Sequence, residues 1–211
     1  MPYQLHKNMK KNKYMKPIQK LLTVLFLSLT VASCEKEPKE EIFIGSKSEV
    51  EDYFTPGVVT ALEDLGYTFN TGDNPPSLTG SYMASQFELK NTTLNENIGN
   101  IFSDYLVTFS NQKTGSIDLV STQGSNTSYG TGSIISGDGN KFSVYVIESV
   151  TNNGHTFKAA IAISGTYSSS GIQSFQYANL MLDDGGDPNG NLMPNNNGRL
   201  LIDKDGLAQK Q

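Results

Sequence analysis

The 211-residue sequence predicts an all-β fold, a meander of about eight antiparallel strands closing as an up-and-down barrel behind one short helix. Three observations carry this. From Gly80 onward apolar residues recur at every second position, as in Tyr105/Val107/Phe109, Ile117/Leu119, Phe142/Val144/Val146/Val150 and Phe157/Ala159/Ile161/Ile163, which is the period of a half-buried strand. Turn formers separate these runs at Lys113-Thr114-Gly115, Gly124-Ser125-Asn126, Gly137-Asp138-Gly139-Asn140, Asn152-Asn153-Gly154 and Ser168-Ser169-Ser170-Gly171. The links are too short for crossovers, so neighbours pair as hairpins, and a meander loses its free edges by closing on itself. A β-sandwich is the alternative that the same strands permit.

Taken in order, the chain opens with Lys7, Lys10, Lys11, Lys13, Lys16 and Lys20, then the apolar run Leu21 to Ala32, then Ser33 and Cys34, the only cysteine. The apolar run is too short for a bilayer core, which needs about 20 residues, and too close to a lysine-rich terminus for a core helix. A basic n-region, a short apolar stretch and small residues before a cysteine form a secretory signal. Val31-Ala32-Ser33-Cys34 resembles the lipobox of bacterial lipoproteins. The resemblance implies removal of residues 1–33 and acylation of Cys34, hence attachment to the membrane through N-terminal acyl chains such as palmitate. Met1, Met9 and Met15 are all possible starts, and Met15 onward is already a complete signal.

Residues 34–44 read as an acidic flexible tether, because Glu35-Lys36-Glu37-Pro38-Lys39-Glu40-Glu41 is charged and lacks any apolar side chain. The run also resembles the export signals behind the acylated cysteine of surface lipoproteins in some Gram-negative bacteria. Outer-membrane attachment with surface exposure is the expected location, the periplasmic face being the alternative. Six of the 16 basic residues and none of the 21 acids precede Cys34, so the remainder carries ten basic against 21 acidic side chains, a net −11. That charge repels phosphate backbones and excludes nucleic acid as a partner.

Residues 45–211 make a single β-rich domain. Its helix spans about 55–65: Thr55 caps it, Pro56 takes the first helical position, Val58, Val59, Leu62 and Leu65 share a face, and Gly66 ends it. Ser48 to Phe54 adds a preceding helical turn. Strands are expected at 80–92, 101–112, 115–123, 128–136, 140–151, 155–168, 171–183 and 198–204. Gly80-Ser81-Tyr82 opens the first strand after a helix, and Arg199 lies on the last. In these positions and in strand order the domain resembles the calycins, lipocalins included, where a basic residue packs across an aromatic ring at the first strand. The resemblance implies a calycin-like barrel with Arg199 against Tyr82. It departs in having tyrosine for tryptophan, and no Trp at all.

Chemistry is sparse. After Cys34 there is one histidine, His155, placed in a hairpin with no serine or acid at a catalytic spacing, so it reads as an ordinary surface imidazole. Glu148 shares its strand face with Phe142, Val144, Val146 and Val150, where an ionised carboxylate costs free energy unless it is partnered or reaches water. It reads either as the polar anchor of a ligand cavity, with Phe142 and Tyr177 as further ligand residues, or as a member of a salt bridge or a side chain at the barrel mouth. Asp183, Asp184, Asp187 and Asn189, spaced by Gly185, Gly186 and Gly190, offer the oxygen-rich set that calcium requires, although no Glu closes the loop and Pro188 interrupts it. The same residues are those that tolerate turns. No catalytic constellation emerges. The expectation is a non-enzymatic binding or accessory module for a small apolar ligand, a glycan or an envelope protein; the alternative is a hydrolase using Glu148 and a second carboxylate within roughly 5 to 10 Å.

Overall fold

The computed structural model describes residues 43–152, 155–187 and 190–211. The expected signal segment and Cys34 lie outside the described residues, as do most of the expected tether and Asn189. Two short helices precede the strands. Helix α1, Lys47–Phe54, starts in a capping box: Ser46 accepts from the Glu49 N–H while the Glu49 carboxylate accepts from the Ser46 N–H at 2.7 Å. The expected extra turn is thus a full helix. Helix α2, Pro56–Asp64, follows with no linker but Thr55, whose side chain caps it and whose φ of 102° makes the sharp corner. A β-branched residue in that region is strained, and the Thr55 N–H bond to the Glu51 carbonyl at 2.7 Å helps to hold it there.

A ring of eight antiparallel strands forms the body: β2 (Gly80–Ala84), β5 (Tyr105–Lys113), β6 (Ser116–Gln123), β7 (Asn126–Asp138), β8 (Lys141–Asn152), β9 (His155–Ser168), β10 (Gly171–Asp183) and β12 (Leu207–Lys210). Each pairs with the next, and β12 pairs with both β10 and β2, which closes the circle. Three further strands prolong ring members. β3 (Phe87–Thr92) continues β2 beyond Ser85 and Gln86, β11 (Gly198–Asp203) leads into β12 across residues 204–206, and β4 (Ile101–Phe102) leads into β5. They pair as their parent strands do, β11 with β10 and β3, and β3 with β4. The eight expected strands are therefore the eight paths of the ring, within one hydrogen-bonded sheet rather than the two of a sandwich. The difference is at the end, where the last path runs on to Lys210.

Alternation sorts the side chains into two cores. Tyr82, Phe87, Tyr105, Phe109, Phe142, Val144 and Phe175 belong to the cluster inside the ring. Tyr145, Ala160, Ala162, Ala178, Leu180 and Leu200 face outward and receive Val50, Phe54, Val59, Leu62 and Leu65 of the helices. Three alanines there leave space for the helices to lie close against β9 and β10.

The ends of the ring differ. At one end residues 66–78 fold back, and Leu78, fully buried, joins the interior; Gln112 fixes it by accepting from the Leu78 N–H at 2.8 Å and donating to the Pro76 carbonyl at 2.9 Å. Here β1 (Asp73–Asn74) pairs parallel to β7, and Gly72 bridges Gly45 and Gly137 by backbone bonds of 2.9 Å each. A Cβ on Gly72 would lie 2.6 Å from the Gly137 carbonyl oxygen, so no larger residue fits. The described chain enters at this closed end. The links 93–100 and 124–125 lie at the other end, together with the end of β8, the start of β9 and the end of β10.

Candidate functional site

The open end is where polar side chains face inward. β8 and β9 pair without a break from Lys141↔Thr166 to Asn152↔His155, so with Phe142, Val144 and Val146 inside, Glu148 also points in. On β10 the same alternation puts Tyr177, Asn179 and Met181 inside, opposite Ile163, Ile161 and Ala159. On β11 it puts Arg199 and Leu201 inside, Arg199 directly opposite Asn179.

Water reaches this end and not the other. The inward side chains Val146, Ile161, Ala159 and Met181 keep 4, 5, 7 and 5 % of their surface, whereas Phe142, Val144, Ile163 and Ile172 keep none. Glu148, Tyr177 and Asn179 are half-buried. The mouth is thus shallow, floored by side chains that fill the ring below it. Two surface depressions of about 190 and 410 Å³ lie instead toward the closed end, lined by polar residues such as Asn70, Ser164 and Gln176 in one and Asn111, Gln112 and Asp118 in the other.

Two tyrosines dominate the mouth. The rings of Tyr105 and Tyr177 stand 4.8 Å apart at 53°, with Phe87 5.4 Å from Tyr105 and 5.8 Å from Tyr177. Burial pushes the Tyr105 phenol far above its ordinary value, the Ser121 hydroxyl opposing and the charge of Glu148 adding to the rise. Burial does the same to Tyr177, with Tyr105 and Glu148 raising it further and Arg199 acting the other way. Both hydroxyls therefore stay protonated, within the field of the Glu148 carboxylate.

Arg199 is spoken for. Its Nε and Nη2 each donate to Glu96 at 2.8 Å, a bidentate pair that holds the Glu96 carboxyl below the usual carboxylate range, and its guanidinium lies 5.8 Å from the Phe102 ring centre. Glu96 comes from the 93–100 link, which Thr93 stitches to Asn197 and Gly198 at 2.9 Å each. The ion pair thereby fixes one rim of the mouth. The Asn179 Oδ1, beside Arg199 in register, is buried without a hydrogen-bond partner.

Of the expected ligand residues, the structure brings Glu148 and Tyr177 together and leaves Phe142 out. Phe142 is fully buried against Phe109 at the closed end, six residues and roughly 20 Å along β8 from Glu148. The expected packing of Arg199 on Tyr82 is also absent. Arg199 sits at the mouth, whereas Tyr82 lies near the closed end with Lys210 opposite it in register and its phenol pushed up to about 12 by burial. Gly80 does open β2, as expected.

The described carboxylates of the acidic loop are engaged by its own backbone. The Asp183 carboxylate accepts from the Gly185 N–H at 3.0 Å, Asp184 from Gly186 at 2.9 Å, and Asp187 from Asn191 and Leu192 at 3.1 and 2.9 Å. Among the described residues no group of three acids, histidines or cysteines is placed to hold a metal ion. Asn179 and Glu96 escaped the sequence reading. The first could have been found by extending the inward alternation, but nothing local marks Glu96 as the partner of a residue 103 positions away.

No helix among the described residues is long and apolar enough to cross a membrane. Comparison with protein-family models, with curated proteins and with solved structures gives no match for this chain.

Proposed function

We propose that this chain is a lipid-anchored, non-enzymatic binding module of the cell envelope whose ligand site is the open mouth of the ring. The observation that carries the reading is Glu148, turned inward at the end that water reaches, where its charge acts on the phenols of Tyr105 and Tyr177. Water already solvates an inward carboxylate at that end, so a ligand's donor can take the place of water there. The ring is filled below the mouth, so a ligand enters only to the depth of Tyr177, which suits a small molecule, a single sugar unit or a loop of an envelope protein better than a long apolar chain. Closure of eight antiparallel strands in chain order is what kinship with the calycins would require.

The membrane part of the proposal rests on the lipobox-like Val31-Ala32-Ser33-Cys34 and on the charged run after it, which resembles the export signals of surface lipoproteins. Each buried acyl methylene contributes about 0.8 kcal/mol, so the chains alone suffice to anchor the protein. The described chain enters at the closed end, opposite the mouth. The hydrolase reading is weaker, because Glu96 at the rim is held in its bidentate pair with Arg199 and is not free to serve as a second carboxylate.

The test is ligand mapping by tyrosine-ring resonances in a panel of sugars, amines and apolar probes. Hits should move Tyr105 and Tyr177 and lose affinity in Glu148→Gln. Hits that move only residues of the outer wall would refute the mouth as the site, and turnover of any panel member would refute the non-enzymatic reading.

A further inference from the structure

On the outer wall, away from the mouth, residues 67–70 form a strap across the strands. Thr68 is tied to β10, its N–H donating to Gln176 Oε1 at 2.9 Å. Asn70 is tied to β8, its N–H donating to Ser143 Oγ at 2.9 Å and its side-chain amide to the Phe142 carbonyl at 2.8 Å. Beside the strap lies the depression of about 190 Å³, bordered on β8, β9 and β10 by Lys141, Ser164, Thr166, Ser174 and Gln176. Ser164 is only 1 % exposed, and the bulge between Gln173 and Gln176, with Ser174 at a φ of 50°, leaves Ser174 exposed at the edge.

The hydrogen bonds around this depression use up acceptors and leave donors over. Gln176 Oε1 takes both the Thr68 N–H and, at 3.2 Å, the Ser164 hydroxyl. That fixes the amide and leaves its Nε2 without a partner among the described residues. Lys141 belongs to none of the three ion pairs among the described residues, although the ladder sets Asp138 opposite it. Next to Ser143 and Ser164, the Tyr67 hydroxyl is buried with no hydrogen-bond partner. No carboxylate lines the depression, and Asn70 Oδ1 is the one amide oxygen there left over.

We propose that this depression binds a small oxoanion, the phosphate or sulfate group of a free ion or of a sugar ester. Lys141 is its counter-charge, and Gln176 Nε2 and the hydroxyls of Thr166 and Ser174 are its donors. An oxoanion brings acceptor oxygens to a place where donors are in surplus, and its hydrogen bonds to a lysine and an amide are charge-assisted. A neutral polyol would meet the same donors but leave Lys141 with no charge to pair. A volume of about 190 Å³ holds several waters, so the ion and the first atoms of its ester both fit. The net −11 of the chain beyond Cys34 opposes any anion at long range. At physiological salt the Debye length is about 8 Å, which leaves the nearest charges in force, Asp138 opposite Lys141 among them.

The test uses the full-length protein in non-ionic detergent at about 0.15 M salt with four probes: inorganic phosphate, inorganic sulfate, glucose 6-phosphate and glucose. Binding is read by calorimetry and by the side-chain amide resonances of Gln176. The anions should move Gln176 and the backbone amides of Thr166 and Ser174, and glucose should move none of them. Tighter binding of glucose 6-phosphate than of phosphate assigns the sugar ester as the source of the group, and the reverse assigns the free ion. Lys141→Met should weaken binding about tenfold or more, and Asp138→Asn should tighten it. Gln176→Glu, which keeps an oxygen for Thr68 and Ser164 and replaces the donor by a negative charge, should abolish binding. Shifts from glucose as large as those from glucose 6-phosphate would overturn the proposal. So would unchanged binding in both Lys141→Met and Gln176→Glu, or a failure of every anion to move Gln176. The mouth reading, tested at Tyr105 and Tyr177, stands or falls separately.

Discussion

Asp203 gives the most quantitative handle on this fold. It is 3 % exposed at the interruption between β11 and β12, where it accepts from the Ser85 N–H at 3.1 Å and the Asp205 N–H at 3.2 Å. Burial pushes its carboxyl from 3.8 up to about 6, with hydrogen bonding to the Asp205 side chain and the charge of Asp205 adding to the rise and the two backbone N–H groups opposing it. The folded state thus holds this proton more tightly than the unfolded chain does. Stability from protonating Asp203 is fully present below 3.8 and is lost as pH rises through about 6. At about 1.36 kcal/mol per pH unit the interval amounts to roughly 3 kcal/mol. Because Asp205 is exposed and water screens it, about 1 to 2 kcal/mol is the expected contribution. The perturbation is Asp205→Asn, which keeps an oxygen for the Leu207 N–H, now bound at 3.0 Å, and removes the neighbouring charge. Urea midpoints from pH 4 to 8 should then fall less steeply in the variant than in the wild type, and the Asp203 carboxyl should titrate lower in a carbon NMR experiment, yet still above 3.8 because burial persists. Titration of wild-type Asp203 near 4, or an unchanged midpoint in the variant, would refute the reasoning.

Three further outcomes are expected. Phe142→Ala should lower stability by about 3 to 5 kcal/mol through the cavity it leaves at the closed end, with ligand binding at the mouth unchanged in the fraction that folds; calorimetry checks the first and titration the second. Ala162→Leu should cost about 1 to 3 kcal/mol by forcing the helices off β9, seen as faster hydrogen exchange in residues 47–64 than in the ring. Cys34→Ser should move the protein from washed membranes to the soluble or unprocessed fraction, and continued sedimentation with membranes would exclude the acyl anchor.

Elements set by local chemistry were legible in the sequence. Turn residues and period-two alternation place strand boundaries because a turn conformation and a pleat involve only near neighbours. The inward aim of Glu148 follows from the same alternation with Phe142, Val144 and Val146. Thr55-Pro56 and Gly66 bracket a helix for equally local reasons. The end of the last strand did not follow, because Asp203-Lys204-Asp205-Gly206 has the composition of a stop. Only the presence of β10 and β2 on either side carries the pairing through it to Lys210.

What the sequence determined by itself is the all-β class, the strand order and the inward face. What only the tertiary structure decided is which inward residues meet. Tyr105, Glu148, Tyr177 and Arg199 come from four strands, and closure of the ring with its particular register brings them to one end while sending Phe142 and Tyr82 toward the other. Glu96 reaches Arg199 only because its link folds over that end. Alternation along a strand says which face a side chain takes, but its height in the ring depends on pairing between distant segments. No local pattern encodes that pairing.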